Sequence, residues 1–249
     1  RLLELLRIHL HYLSGRHDDR LLFDHQTALA KRLGFATRAN RRASERLMQR
    51  YYLTAKSVYL LNTILLQNLA LRIAPPANRS VVTPLNPRFV IRGELLSAPD
   101  PAIFERDPRS ILEVFSLLQQ HHGIKGIGAV TMRALWRARR SINPAARRDP
   151  HMQALFMDIL RSPTRVVREL RRMHQFDILG RYIPAFGRVT GQMQHDLYHV
   201  YTVDEHILKV VRNLRRFAVP ELAHEFPLCS RLMSEFDKPE LLYLAGLFH

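Results

Sequence analysis

A single cysteine, Cys229, is found in this chain of 249 residues. One thiol excludes an intramolecular disulfide framework and any cysteine-based zinc finger, and it fits a reducing, cytoplasmic compartment. Cys229 follows Pro227 and Leu228 in an apolar helical pattern, which predicts a buried structural thiol. Lysine is scarce, occurring only at Lys31, Lys56, Lys125, Lys209 and Lys238. No apolar run approaches the roughly 18 residues of a membrane span. The opening Arg1-Leu-Leu-Glu-Leu-Leu-Arg7 lacks the layout of a secretory signal. Several motifs are missing too. There is no GxxxxGK phosphate loop, no GxGxxG, no GxSxG and no HExxH. Nor is there a Gly-Ser pair followed by carboxylates at Asp-x-Asp spacing, which a nucleotidyltransferase needs to hold its magnesium ions.

What is present is mostly basic and helical. Lysine and arginine number 38 against 22 acidic residues, a net charge of +16 carried almost wholly by arginine. Such a surface attracts nucleic acid, nucleotides or an acidic partner protein. The arginines are spread through many helices rather than gathered in one tail or stripe. Apolar residues make up 47% of the chain, enough for a sizeable core. The sequence lacks an initiator methionine and opens and stops within helical patterns, so a piece of a longer chain is expected.

Leucines from Leu2 to Leu13 recur at helical spacing until Ser14-Gly15. A second helix is predicted over Leu21–Leu33, ended by Gly34, and a long third one over Arg41–Leu71. Four prolines, Pro75, Pro76, Pro84 and Pro87, then mark a linker. Residues 88–98 read as a short β-hairpin turning at Arg92-Gly93, the one convincing strand signal. Helices resume, with Asp107-Pro108 and Asp149-Pro150 as cap-and-proline starts. Gly123–Gly128 reads as a loop. Trp136 lies in phase with Met132, Leu135 and Ile142, which points to the core. Gly180 is expected to end a short helix. The fold class is therefore mainly all-α, a helical bundle with one short β-hairpin near 88–98.

Chemistry-bearing residues concentrate in the stretch Ile183–His206. It holds His195, His199 and His206 with Asp196, Asp204 and Glu205. Thr202-Val-Asp-Glu205 fits a capping box and predicts a helix from about Val203. His206 lies four before Val210, on the flank expected to face inward. The last helix, Glu240–His249, is apolar nearly throughout and so predicted to be buried, with His249 ending it in the core. Two inward imidazoles on neighbouring helices could hold a metal, and spacing alone fits a satisfied core histidine at 206 as well.

His206, followed later by Leu244-Ala-Gly-Leu-Phe-His249, resembles the HD phosphohydrolase superfamily. Ile183-Pro-Ala-Phe-Gly-Arg, Gln192-Met-Gln-His-Asp and His199-Val-Tyr-Thr-Val-Asp-Glu-His resemble, more narrowly, the bacterial bifunctional uridylyltransferase/uridylyl-removing enzymes acting on the PII nitrogen-signal protein. The likeness extends upstream through Asp24-His-Gln-Thr-Ala, Met48-Gln-Arg-Tyr-Tyr, Phe104-Glu-Arg-Asp-Pro and Leu135-Trp-Arg-Ala-Arg.

The resemblance implies three parts: residues 1–74, the helical end of a nucleotidyltransferase module; 75–182, a helical linker with the hairpin; and 183–249, the truncated N-terminal part of an HD domain. It implies that His206 and His249 are metal ligands for Mg²⁺ or Mn²⁺, in a site completed by carboxylates outside this sequence. His195 and His199 would touch substrate near its mouth. His195-Asp196 is itself a His-Asp dipeptide, but it lacks partners at the spacing the family pattern needs. The implied partners are PII, UTP and UMP, with glutamine acting through ACT domains absent here. No membrane and no nucleic acid is expected. The fragment alone would lack complete active sites. A reading of a different class stays open: a basic helical nucleic-acid-binding module whose histidines are structural.

Overall fold

The computed structural model describes residues 1–38, 41–74, 82–193 and 201–249. These pack as two units. One comprises Arg1–Tyr59 with Val189–His206, the other Leu60–Arg188 with Ile207–His249.

In the first unit the leucine periodicity becomes α1 (Leu2–Ser14), α2 (Phe23–Arg32) and the start of α3 (Ala43–Ile73). Leu6 and Leu10 of α1 meet Leu29 and Ala30 of α2 and Leu47 of α3 in one apolar cluster. Gly15, in the left-handed conformation, stops α1 where expected.

The second unit is built on a small sheet. The strands β1 (Val82–Pro84), β2 (Val90–Arg92), β3 (Leu95–Ser97) and β4 (Gly126–Ile127) lie in that order. The expected hairpin is β2–β3, with Ile91 opposite Leu96 and Gly93 at φ 62 in the turn. The sheet is larger than the sequence signalled. Antiparallel β1 falls inside the proline-rich linker, and β4 falls inside the expected Gly123–Gly128 loop. Both are too short for alternation to show. β4 runs parallel to β3 because helices α4 (Ile103–Arg106) and α5 (Arg109–Gln120) lie between them in the chain.

After β4 come α6 (Ala129–Ala138), which packs on β3 and is continued by a 3₁₀ turn at Arg139–Ser141, α7 (Pro144–Arg148), α8 (Pro150–Arg161) and α9 (Val166–Gln175). Then come α10 (Ile178–Tyr182), α11 (Pro184–Val189), α12 (Val203–Phe217), α13 (Pro227–Ser234) and α14 (Pro239–Leu247). α5 is central. Ile111, Leu112, Val114, Phe115 and Leu118 are all fully buried, and Gln119 Nε2 donates to the Ile159 carbonyl of α8 at 3.0 Å. Asp149 caps α8 as expected, accepting from the His151 and Met152 amides at 2.8 and 3.0 Å.

Several expectations are corrected. Gly180 does not end a helix; it lies inside α10. Its bare backbone is where α11 comes closest, since a Cβ on Gly187 would meet the Gly180 carbonyl oxygen at 2.3 Å. Trp136 is half-buried rather than core, and the Arg139 guanidinium covers its ring at 4.3 Å. Cys229 is exposed, because α13 turns its other side inward through Ser230 and Met233. α14 is not buried all round. Tyr243, Gly246 and Leu247 face in, while Leu241 and Phe248 are 46% and 60% exposed.

Candidate functional site

The residues flanking the histidine-rich stretch are held by a polar network within the first unit. The Arg41 guanidinium forks, Nη1 donating to Gln49 Oε1 at 3.0 Å and Nη2 to Gln192 Oε1 at 2.9 Å. Gln49 Nε2 donates to the Thr190 carbonyl at 3.0 Å. The Gln192 carbonyl accepts from the Val203 amide at 2.8 Å, which fixes the first residue of α12. The buried Asp204 carboxylate accepts from the Gly191 amide at 2.9 Å. The start of α12 at Val203 matches the expected one. Sequence reasoning missed Arg41, Gln49, Gln192 and Asp204 as its anchors. A signal existed: Gln49 belongs to the Met48–Tyr52 motif and Gln192 to the Ile183–His206 stretch, and the fold joins the two.

His195 and His199, with Asp196, lie outside the described residues. His206 is described and is exposed, not inward. Asp204, Ile207, Leu208 and Val211 form the buried side of α12. At about 100° per residue, position 206 is about 200° from Asp204 and on the opposite side of the helix. His249 is likewise exposed, two residues past the end of α14. Each residue has at least one interaction with other groups. The two residues belong to different packing units. Among the described residues no group of three His, Cys, Asp or Glu side chains is placed to hold a metal. Imidazole is a suitable donor for a divalent ion, but the described residues by themselves do not complete such a site.

Electrostatics elsewhere explain much of the arginine. Glu169 of α9 is fully buried and accepts two bonds from Arg172 at 2.9 and 3.1 Å. Burial pushes its carboxyl above the usual carboxylate range, and Arg172 opposes that shift. Arg165 donates to the Leu118 and His122 carbonyls, and Arg172 to that of Lys125. Arg165, just before α9, and Arg172 within it thus tie the end of α5 and the α5–β4 connection to α9, a structural role. A cavity of about 640 Å³ lies among the end of α3, the β2–β3 turn and the start of α6. Its one carboxylate, Glu94, is paired with Lys125 at 2.6 Å, so it offers no acid–base set.

Comparison with known proteins agrees with the likeness read from the residues. Residues 1–66 match the family model described as GlnD PII-uridylyltransferase, and residues 89–182 match that described as Uridylyltransferase GlnD third domain. The chain is 59% identical over 247 residues to the bifunctional uridylyltransferase/uridylyl-removing enzyme of Nitrosospira multiformis, covering 99% of this chain and 28% of the relative. It is 55% identical over 249 residues to that of Thiobacillus denitrificans, covering 100% of this chain and 29% of the relative. For that of Ralstonia nicotianae the identity is 50%, with the same coverage. The chain therefore spans less than a third of the length of the curated relatives it matches. No solved structure matches. The nucleic-acid-binding alternative gains no support from these relatives. The chain belongs to the family of bifunctional uridylyltransferase/uridylyl-removing enzymes.

Proposed function

We propose that this chain is the central part of an enzyme that transfers UMP from UTP to the PII signal protein and hydrolyses it off again. One observation carries the reading: identity of 59% and 55% to enzymes named for both activities, extending over essentially the whole chain. Residues 1–74 serve as the helical end of the transferase module, 75–182 as the linker and 183–249 as the start of the HD-type hydrolase. Separate family-model matches over 1–66 and 89–182 support a division in the seventies or eighties.

In this reading His206 and His249 donate imidazole nitrogen to Mg²⁺ or Mn²⁺, with carboxylates supplied from outside this sequence. The exposure of both rings supports it, since a ligand must be reachable by ion and substrate. Held by His206, His249 and those carboxylates, such an ion would supply Lewis acidity toward a phosphodiester and toward water. This chain's own contribution is positional. Asp204 and Gln192 fix the start of the helix that carries His206. His195 and His199 contact the uridylyl group or its tyrosine. Glutamine acts through ACT domains outside this sequence. The protein works in the cytoplasm, consistent with there being no helix among the described residues long and apolar enough to cross a membrane.

The test is enzymatic. The full-length enzyme should uridylylate PII with UTP and release UMP from uridylyl-PII only with Mg²⁺ or Mn²⁺. The 249-residue chain alone should do neither. Robust UMP release by the chain alone would refute the proposed division of the site.

A further inference from the structure

Between Glu113 and Asp149 the sequence contains no acidic residue, yet it carries Lys125, Arg133, Arg137, Arg139, Arg140, Arg147 and Arg148. The fold sorts these. Arg139 is spent on the Trp136 ring and on Asp177, 3.7 Å away. Arg147 donates to the Arg181 carbonyl at 3.3 Å. Arg133, Arg137 and Arg140 are different. They follow one another at i, i+4 and i+7 along α6 and its 3₁₀ extension, all exposed. The opposite face, Met132, Leu135 and Ala138, is buried, so the arginine face is fixed outward.

Among the described residues no carboxylate lies within ion-pairing distance of Arg133, Arg137 or Arg140. The nearby acids are committed elsewhere, Asp149 to Arg109 at 2.7 Å and Asp177 to Arg139. Elsewhere in the unit Arg88, Arg106, Arg109, Arg161 and Arg172 do have carboxylate partners. Like charges at i, i+4 on a helix are mutually destabilising. Burial lowers the pKa of the Arg139 guanidinium from its usual value, Asp177 opposes that shift, and the neighbouring Arg181 and Arg140 add to it. An uncompensated row of this kind is retained at a cost to the fold.

We propose that the Arg133–Arg137–Arg140 face is a docking surface for an acidic patch on the protein substrate, which rests on the functional reading above. Guanidinium forks fit carboxylates two bonds at a time. The row spans about 10 Å at the helical rise, the scale of several carboxylates on a protein surface rather than of one phosphate. Val130, 63% exposed and one turn before Arg133, adds an apolar contact at the end of the row. A single-stranded nucleic acid is a poorer fit. The one aromatic ring of α6, Trp136, is covered by Arg139, so the row offers no stacking platform.

The test uses the full-length enzyme carrying R133E, R137E and R140E together, assayed for uridylylation with PII varied and UTP saturating. The expected result is a rise of about tenfold or more in KM for PII. The value of kcat and the KM for UTP should stay within about twofold, because the row steers encounter and lies outside the chemistry. Added salt should weaken kcat/KM for wild type and leave the variant nearly flat. The R133K, R137K and R140K triple variant keeps the charge but loses the forks, so its KM for PII should lie between those of wild type and the charge-reversed enzyme. A charge-reversed enzyme that folds, by its circular dichroism, and shows the wild-type KM and salt response overturns the docking surface and leaves the functional reading intact. Loss of binding to poly(U) RNA or anionic vesicles without change in the PII kinetics also overturns it. A wild-type enzyme inert toward PII overturns both.

Discussion

Replacing Gly187 by alanine tests the packing of the helices that lead into the histidine-rich stretch. The new Cβ would lie 2.3 Å from the Gly180 carbonyl oxygen, 3.0 Å from its carbon and 3.3 Å from its Cα. Relief requires α10 and α11 to separate by about 1 Å, since ordinary carbon contacts sit near 3.5–4 Å. The obstacle is backbone, so no rotamer change can absorb it. Overpacking of this kind costs about 1–3 kcal/mol, and a rigid backbone contact places it at the upper end. Alanine returns up to about 1 kcal/mol in helix propensity. The net loss is about 2 kcal/mol, or about 4–8 °C in Tm for a chain of this size. Thermal unfolding followed by circular dichroism reads it directly. Gly123→Ala is the control, because a Cβ there meets nothing within 4 Å. It should move Tm by no more than about 1–2 °C. A Gly187→Ala protein as stable as wild type would refute the close approach of α10 and α11.

Other expectations can be checked independently. Asp204→Ala leaves the Gly191 amide without its acceptor and should cost about 1–3 kcal/mol in urea unfolding, while Asp204→Asn retains an acceptor and should cost less. Faster hydrogen exchange at Gly191 in the alanine variant locates the effect. Glu169 has its folded pKa raised by burial, so the folded state holds the proton longer than the unfolded chain. Wild-type stability should therefore fall as pH rises from about 4.5 through the folded pKa, and then level off. Glu169→Gln removes that dependence, so its stability relative to wild type should improve with rising pH; a gap that is constant or runs the other way would refute the shift. Cys229 is exposed, so a maleimide should label the native protein about as fast as the unfolded one. A native thiol that resists labelling would restore the buried assignment.

The helices were legible because their signals are local. Leucine spacing and Gly15 place α1, and Asp149-Pro150 places α8, within a residue or so. The hairpin was legible from the Arg92-Gly93 turn. β1 and β4 were not, because strands of three and two residues owe their existence to pairing partners distant in sequence. The exposure of α14 is not legible for a related reason. Apolar composition says which residues could be buried, and only the packing decides that Leu241 and Phe248 are not. Spacing from Val210 points His206 inward, but Val210 is itself only partly buried; Asp204, Ile207, Leu208 and Val211 set the true inward direction. The anchoring of α12 by Arg41 and Gln192 spans 151 residues of sequence and leaves no periodic trace.

As a proposed metal ligand, His206 should serve the uridylyl-removing chemistry of the full-length enzyme. The direct measurement is His206→Ala in that enzyme, with UMP release from uridylyl-PII and uridylylation of PII followed in parallel. The expected result is a fall in UMP release of about a hundredfold or more, with uridylylation and the KM for UTP close to wild type. Release at the wild-type rate by a folded His206→Ala enzyme would contradict the assignment.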